Sequence, residues 1–286
     1  MNRPVDAVIE FLQSQQAHGK THVLLDNEAR DGLRELFIRA RTPVEARPDI
    51  PSDSSAPQAI PQAIPQAIPQ TIELVIEGED KSTKLASIKR QAANWAPALS
   101  LGSLRETMVF AAGNPEAKIM LIGEAPGYHE EKEGQPFMGP AGEKLSDILK
   151  AMGITREEVY ITYLVKFRPS TPKQSTNNRN PSLAEIHACM PILRAEISVI
   201  NPAVIIALGD SAVEGLLNVK GAIGGALTQW HEFSGIPTRA TYHPVHLLKT
   251  GSNEVKRVLW EDMLAVMEKI GMPISDKQRG FFLPKP

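Results

Sequence analysis

From about residue 84 onward, short apolar runs alternate with segments of helical period. Lys84 to Ala96 sets Leu85, Ile88, Ala92 and Trp95 on one helical stripe. Ile119 to Ile122 is a continuous apolar run that delivers the turn Gly123-Glu124-Ala125-Pro126-Gly127. Leu145, Ile148, Leu149 and Met152 then predict a helix beginning near Ala141 and stopping at Gly153. Val159 to Val165, Ala203 to Leu208 and Thr238 to Tyr242 are further strand-like runs. Between them, Ser182 is placed to cap a helix reaching about Ile200, and Gly209-Asp210 opens another that runs through Leu217. A last helix covers roughly Glu254 to Ile270. Continuous apolar strands alternating with helices predict a three-layer α/β sandwich around a central, mainly parallel four-stranded sheet. Chemistry in such a sheet gathers where strands end: after Gly123, Val165, Leu208 and Tyr242.

The first part of the chain reads differently. Val5, Val8, Ile9, Phe11 and Leu12 have helical spacing, Thr21 to Leu25 reads as a short strand or turn, and Asp26 can cap a second helix carrying Ala29, Leu33, Leu36 and Phe37. Residues 1–40 are therefore expected to form a small helical extension, a docking element without a polar constellation of its own. Residues 41–72 turn proline-rich and end in a repeat, P-Q-A-I three times and then P-Q-T-I, from Pro57 to Ile72. A proline at every fourth position bars continuous helix and favours an extended spacer of ~3.1 Å per residue. The main domain is then expected over residues 73–286, with the extension available to a protein partner.

Composition narrows the picture. Hydrophobic residues make up 42% and charged residues 22% of the 286, and the formal net charge is −2. That balance suits a globular protein, expected here as a monomer, and puts any contact with a polyanion on local charge. The single cysteine, Cys189, excludes an internal disulfide and any cysteine-only metal or iron–sulfur site within one chain. No apolar run approaches membrane-spanning length and the N-terminus lacks a signal-peptide core, so a cytoplasmic, bacterial-type setting at the nucleoid and no membrane partner are expected.

Two strand ends carry unusual residues, Glu124 at the first and His243 at the fourth. A carboxylate and an imidazole at neighbouring strand ends can position or activate a water and stabilise developing negative charge. Each alone also fits an ordinary role, the one near helix-terminal amides and the other in a turn. Local charge adds to the pattern. Val159 to Ala184 contains Lys166, Arg168, Lys173 and Arg179 without an acid, and Ile236 to Ser252 contains Arg239 and Lys249 without one. Both stretches follow strands that end at the expected site, where a phosphate backbone would run.

The motifs G-E-A-P-G with G-Q-P-F-M-G-P-A-G, V-Y-I-T-Y-L-V-K-F-R-P, N-R-N-P, A-L-G and T-Y-H-P-V-H-L-L-K resemble the uracil-DNA glycosylase superfamily, most closely its family 4, the iron–sulfur type. The resemblance runs from about Leu85 to Ile270. It implies a monofunctional DNA glycosylase that extrudes uracil or a related deaminated base and hydrolyses its N-glycosidic bond, leaving an abasic site. It also implies residue roles: Glu124 for the attacking water, His243 for the departing base, Phe137 as the stacking ring, Glu130 beside the base edge and Leu247 as an apolar wedge into the duplex. Gly123, Ala125 and Tyr163 would line the base site, and Lys166, Arg168, Arg179 and Lys249 would face DNA.

Three departures from the family pattern matter. The cluster cysteines are reduced to Cys189, with Phe167 where another would stand, so no cofactor and no metal are expected. Tyr163 takes the place of the asparagine that reads the Watson–Crick edge, and a phenol cannot offer the same side-by-side donor and acceptor. Val245 replaces a frequent serine, a minor loss. The tyrosine leaves two alternatives beside uracil excision: release of another base, hypoxanthine or a bulky phage-type modified base, or a non-catalytic module that binds DNA or abasic sites.

Overall fold

The computed structural model describes residues 74–217 and 229–283. The helical extension and the proline-rich spacer expected over residues 1–72 lie outside the described residues. In chain order the described elements begin with α1 (Lys81–Ala92), α2 (Ala96–Leu99), β1 (Leu104–Met108), β2 (Ala111–Gly113) and β3 (Ile119–Gly123). They continue with α3 (Tyr128–Glu133), α4 (Gly139–Met152), β4 (Tyr160–Tyr163), β5 (Phe167–Pro169), α5 (Leu183–Ile200) and β6 (Val204–Leu208). Then come α6 (Asp210–Leu217), β7 (Trp230–Phe233), β8 (Ile236–Thr241), α7 (Pro244–Thr250), α8 (Asn253–Lys269) and α9 (Asp276–Arg279).

Among the described residues, the main sheet has six strands in the order β2-β4-β3-β6-β8-β7. Its four central strands, β4, β3, β6 and β8, run parallel, as the continuous apolar sequences of β3 and β6 predict, although β8 carries the buried polar residues Thr238, Arg239 and Thr241. Every residue of β3 and β6 is buried, so alternate side chains feed opposite cores. Met120 and Ile122 join the core that holds Ile88, Ile192 and Leu193, while Ile119 and Leu121 join the one that holds Leu145, Trp260 and Met263. That two-sided burial gives the three layers.

Two antiparallel edges complete the sheet, β2 against β4 and β7 against β8, and β1 pairs with β5 in a separate two-stranded ribbon. The sequence gives little sign of these pieces. β2 is only three residues long, and β1 and β7 carry mostly solvent-facing side chains, so neither has an apolar run to detect.

Helix ends follow their local chemistry. Gly153 closes α4 at φ 87°, a left-handed position that glycine adopts without strain. Ser182 accepts from the Glu185 amide at the start of α5, and the Glu185 carboxylate accepts from the Ser182 amide in return, a complete capping box.

Candidate active site

The carboxyl ends of β3, β4, β6 and β8 surround one cavity of about 650 Å³. β3 ends at Gly123, and the absence of a side chain there is a packing requirement. A Cβ would lie 2.7 Å from the Phe137 ring and 2.8 Å from the Tyr163 ring, so only glycine lets both rings close over the strand end.

Glu124 follows immediately. Its Oε1 accepts a 3.3 Å hydrogen bond from the Ser211 amide in the first turn of α6. Burial raises the Glu124 pKa above its ordinary value; the Ser211 amide opposes that, and Asp210 and Glu214 add to it. Gly209, at the end of β6 with φ +92°, fills the space between the two strand-end groups. A Cβ at Gly209 would stand 2.7 Å from Glu124 Oε1 and 3.0 Å from His243 Cβ. The carboxylate and the imidazole are thus brought within one glycine of each other.

His243 caps α7, and its Nδ1 accepts from the Val245 amide at 3.1 Å. An acceptor at Nδ1 leaves the proton of the neutral ring on Nε2, so the side chain offers a donor there. Burial, helped by Lys249, lowers the His243 pKa from 6.5 to about 4. The ring is therefore neutral near pH 7.

Phe137 is held from several sides. Its φ is +53°, a left-handed backbone that a phenylalanine adopts only under constraint. The Phe137 amide donates to the Tyr163 hydroxyl at 2.8 Å, and Arg156 donates to the carbonyls of Phe137 (3.1 Å) and Pro136 (2.7 Å). Gly142 packs against the Phe137 carbonyl so closely that a Cβ would come within 1.7 Å of the oxygen. The Phe137 ring stacks with Tyr163 (5.1 Å between centroids, 19°) and lies near-parallel to His243 (5.5 Å, 23°), and only 2% of the residue is exposed.

Glu130 joins two loops. One oxygen accepts from the Gly127 amide and the other from the Met138 amide, each at 2.9 Å. The turn after β3 and the loop carrying Phe137 are thereby fixed to a single buried carboxylate.

Of the residues expected at the site, Glu124, Ala125, Glu130, Phe137, Tyr163 and His243 line the cavity, as do Arg179 and Lys249 at its edge. Gly123 sits beneath the two rings. Three others stand elsewhere. Lys166 is fully buried, paired with Glu196, and donates to Thr162 (2.5 Å) and to the Tyr163 carbonyl (2.8 Å). Arg168 is 2% exposed and holds Glu131 (2.8 Å), Asn178 (3.0 Å) and the carbonyls of Ser175 and Asn177 (2.8 Å each). These two cations are spent inside the protein, because an unpaired buried charge would cost far more than any phosphate contact could return. Leu247 packs against the core beneath α7, and its neighbour Leu248 is the exposed leucine, at 43%. Arg179 is also engaged, bonded to Glu185 and to the carbonyls of Ser103 and Ser170. Among the described residues, Lys249 is the exposed cation at the cavity.

Gly209, Arg156 and the Ser211 and Val245 amides were not legible as site elements. Gly209 and the two amides act through backbone position, which leaves no residue-type signal, and Arg156 reaches the site only because its guanidinium is folded back onto the Pro136 and Phe137 carbonyls.

The surroundings of Cys189 do not fit an iron–sulfur cluster. The thiol is buried in the apolar cluster that also contains Phe167 and Ile186, and burial raises its pKa to about 11, which opposes the thiolate a cluster needs.

Fold and site together define a class: an α/β protein whose parallel sheet presents a half-buried carboxylate, a neutral imidazole donor and a clamped aromatic ring in one cavity. The family model for the uracil DNA glycosylase superfamily matches residues 110–264. Among curated proteins, the chain is similar to the type-4 uracil-DNA glycosylase of Thermotoga maritima, 39% identical over 163 residues (56% of this chain, 81% of that one). It is similar also to the type-4 enzymes of Saccharolobus solfataricus, 38% identical over 179 residues (59% and 79%), and Archaeoglobus fulgidus, 32% over 193 residues (64% and 89%). This chain belongs to the uracil-DNA glycosylase superfamily.

Proposed function

We propose that this protein is a monofunctional DNA glycosylase that takes uracil or a related deaminated base out of the stack and hydrolyses its N-glycosidic bond, leaving an abasic site in DNA. The observation that carries the reading is the pairing of Glu124 with a neutral, Nε2-protonated His243 across Gly209.

In this reading the bond between C1′ and the base nitrogen breaks first, and its electron pair leaves with the base. His243 Nε2–H donates to the base carbonyl oxygen on which that charge accumulates. A neutral donor does this without surrendering its proton, and a pKa near 4 keeps it neutral. Glu124 faces the opposite charge: its carboxylate stabilises the cationic sugar and accepts the proton of the water whose oxygen bonds to C1′. A carboxylate pKa raised by burial suits proton acceptance nearer neutral pH than an exposed glutamate would allow. Water is the only nucleophile this reading requires, which makes the enzyme monofunctional. The similarity to type-4 uracil-DNA glycosylases supports uracil as the first base to test.

The test is release of base from uracil-containing single- and double-stranded oligonucleotides, read as alkali-labile sites. Glu124→Gln and His243→Ala are each expected to lower the rate by ~10²–10³. Release by the wild type no greater than by the Glu124→Gln, His243→Ala double variant would reject uracil excision.

A second reading rests on Tyr163. Its hydroxyl is taken by the Phe137 amide and its ring lies on Phe137, so the residue that the family uses to read uracil is used here for packing. Release of hypoxanthine or a bulkier modified base in preference to uracil is the outcome that would favour this reading. Saturable DNA binding with no base released from any substrate would instead favour a binding module.

A further inference from the structure

With Tyr163 committed to Phe137, the base edge needs another pair of polar atoms, and the turn at Gly127 has them. Asn178 belongs to the loop after β5. Its side-chain oxygen faces Arg168 Nε at 3.0 Å, and because a guanidinium only donates, the atom facing it must be the oxygen. That fixes the amide orientation and turns Nδ2 toward Gly127. A Cβ on Gly127 would lie 2.7 Å from Asn178 Nδ2 and 2.8 Å from Glu130 Oε2. A donor and an acceptor therefore converge on the same small space, and both residues line the cavity that holds Glu124, Phe137 and His243. Glu130 Oε2 uses one lone pair on the Gly127 amide and keeps acceptor capacity.

Arg168 is itself held rigidly, by Glu131 at 2.8 Å and by two loop carbonyls, and Glu131 is held in turn by Arg105 at 2.5 Å. The aim of Asn178 is thus set by a buried, charge-paired arginine instead of by loop drift. This accounts for an arginine that follows a candidate site strand yet is almost completely enclosed.

We infer that Asn178 Nδ2 and Glu130 Oε2 together read the base edge, replacing with two residues the side-by-side donor and acceptor that one asparagine amide at position 163 would offer. The edge they complement is a carbonyl adjacent to a ring N–H. Deamination creates that edge from the amino-bearing edge of cytosine (O4 and N3–H of uracil) or adenine (O6 and N1–H of hypoxanthine). Cytosine and adenine present the reversed pattern and are rejected. The inference rests on the glycosylase reading above and adds the residue that tells a deaminated base from its amino-bearing parent.

The test separates base reading from chemistry by measuring binding. In a Glu124→Gln background, single-stranded oligonucleotides carrying uracil or 4-thiouracil are titrated by fluorescence anisotropy, with hypoxanthine and its 6-thio analogue as a second pair. Sulfur is a weak acceptor, and each thio base keeps its ring N–H. Uracil or hypoxanthine should bind ~10-fold more tightly than its thio analogue, and adding Asn178→Ala should bring that ratio to ~1. A ratio between two ligands of one variant does not depend on how much of that variant is folded. A ratio unchanged by Asn178→Ala, or no preference in the parent for either pair, overturns the inference. Base release by the wild type, measured separately, decides the glycosylase reading on its own.

Discussion

At the scale of single residues, the two strand-end groups are tuned in complementary directions by one cause. Burial disfavours charge, so it raises the carboxylate of Glu124 and lowers the imidazole of His243. The consequence for pH is specific. The His243 pKa is lower in the folded state than in the unfolded chain, from 6.5 to about 4. Its contribution to stability is present above pH ~6.5 and is lost as pH falls through about 4. NMR of ring-labelled protein should show a neutral His243 with the proton on Nε2 throughout the range from pH 5 to 8. In the proposed reaction Glu124 must be ionised to take a proton, so activity should have its acid limb above the ordinary glutamate value of 4.5. An acid limb that follows the titration of His243, in a protein whose Glu124 is already ionised, would contradict this division of roles.

The same scale explains what Tyr163 does. A hydroxyl bonded to the Phe137 amide and a ring stacked on Phe137 make it a support for a strained residue. Tyr163→Phe keeps the ring and removes the bond. It should free the Phe137 amide and raise KM for damaged DNA several-fold, with a smaller change in kcat. The check is steady-state kinetics beside a melting curve. An equal loss in both constants would place Tyr163 in the chemical step.

At the scale of elements, three glycines set the site through close approach. Gly123 admits two rings over the end of β3, Gly209 separates Glu124 from His243 at the end of β6, and Gly142 lets α4 press against the Phe137 carbonyl. Gly209→Ala should be the most informative change. A Cβ would meet Glu124 Oε1 at 2.7 Å on a backbone with φ +92°, so the carboxylate must move and the turn is strained. We expect a loss of about 1–3 kcal/mol in urea unfolding together with a fall in kcat, and a return of the Glu124 pKa toward its ordinary value. Unaltered kcat would show that the spacing of the two groups is not critical.

The strands β3, β4, β6 and β8 were legible because each is buried on both faces and is mostly apolar or β-branched in sequence. The edge strands β2 and β7 were not, since pairing with a neighbour and not their own pattern makes them strands.

At the scale of the whole molecule, the interior around Cys189 is filled by packing and by one ion pair. Phe167 and Cys189 lie in the apolar core, and Lys166 with Glu196 forms a buried pair supported by Tyr160 and Thr162. Lys166→Met would leave Glu196 without its counter-charge and should cost about 3–5 kcal/mol of stability, measured by urea unfolding. The Lys166→Met, Glu196→Leu double variant should recover much of that loss, because it removes both charges. Burial of Lys166 and Arg168 also leaves little exposed positive charge at the cavity, where Lys249 is the open cation among the described residues. Replacing Lys249 by alanine should lower the slope of log affinity against log salt by about 0.7–0.9. Full retention of the slope would place the phosphate path elsewhere.

Sequence alone determined the parallel α/β core and the stretch from Lys118 to Gly142 that displays Glu124 and Phe137, because strand burial and strand-end turns are encoded locally. The meeting of Glu124 with His243 was decided by the sheet order, which puts β6 and Gly209 between their two strands instead of making those strands neighbours. Sequence also located the odd residue, Tyr163, through the likeness of its surroundings to a family pattern. Only the tertiary structure decided what the charged residues are for. Lys166 and Arg168 read as phosphate contacts in a basic stretch, yet their partners, Glu196 and Glu131, come from α5 and α3, distant in sequence. Nothing in the sequence sets Asn178 apart from Asn177 and Asn180 beside it; its contact with Arg168 holds the amide oxygen and turns Nδ2 toward Gly127. Burial and side-chain direction depend on contacts between elements far apart in the chain, and those contacts exist only once the sheet has formed.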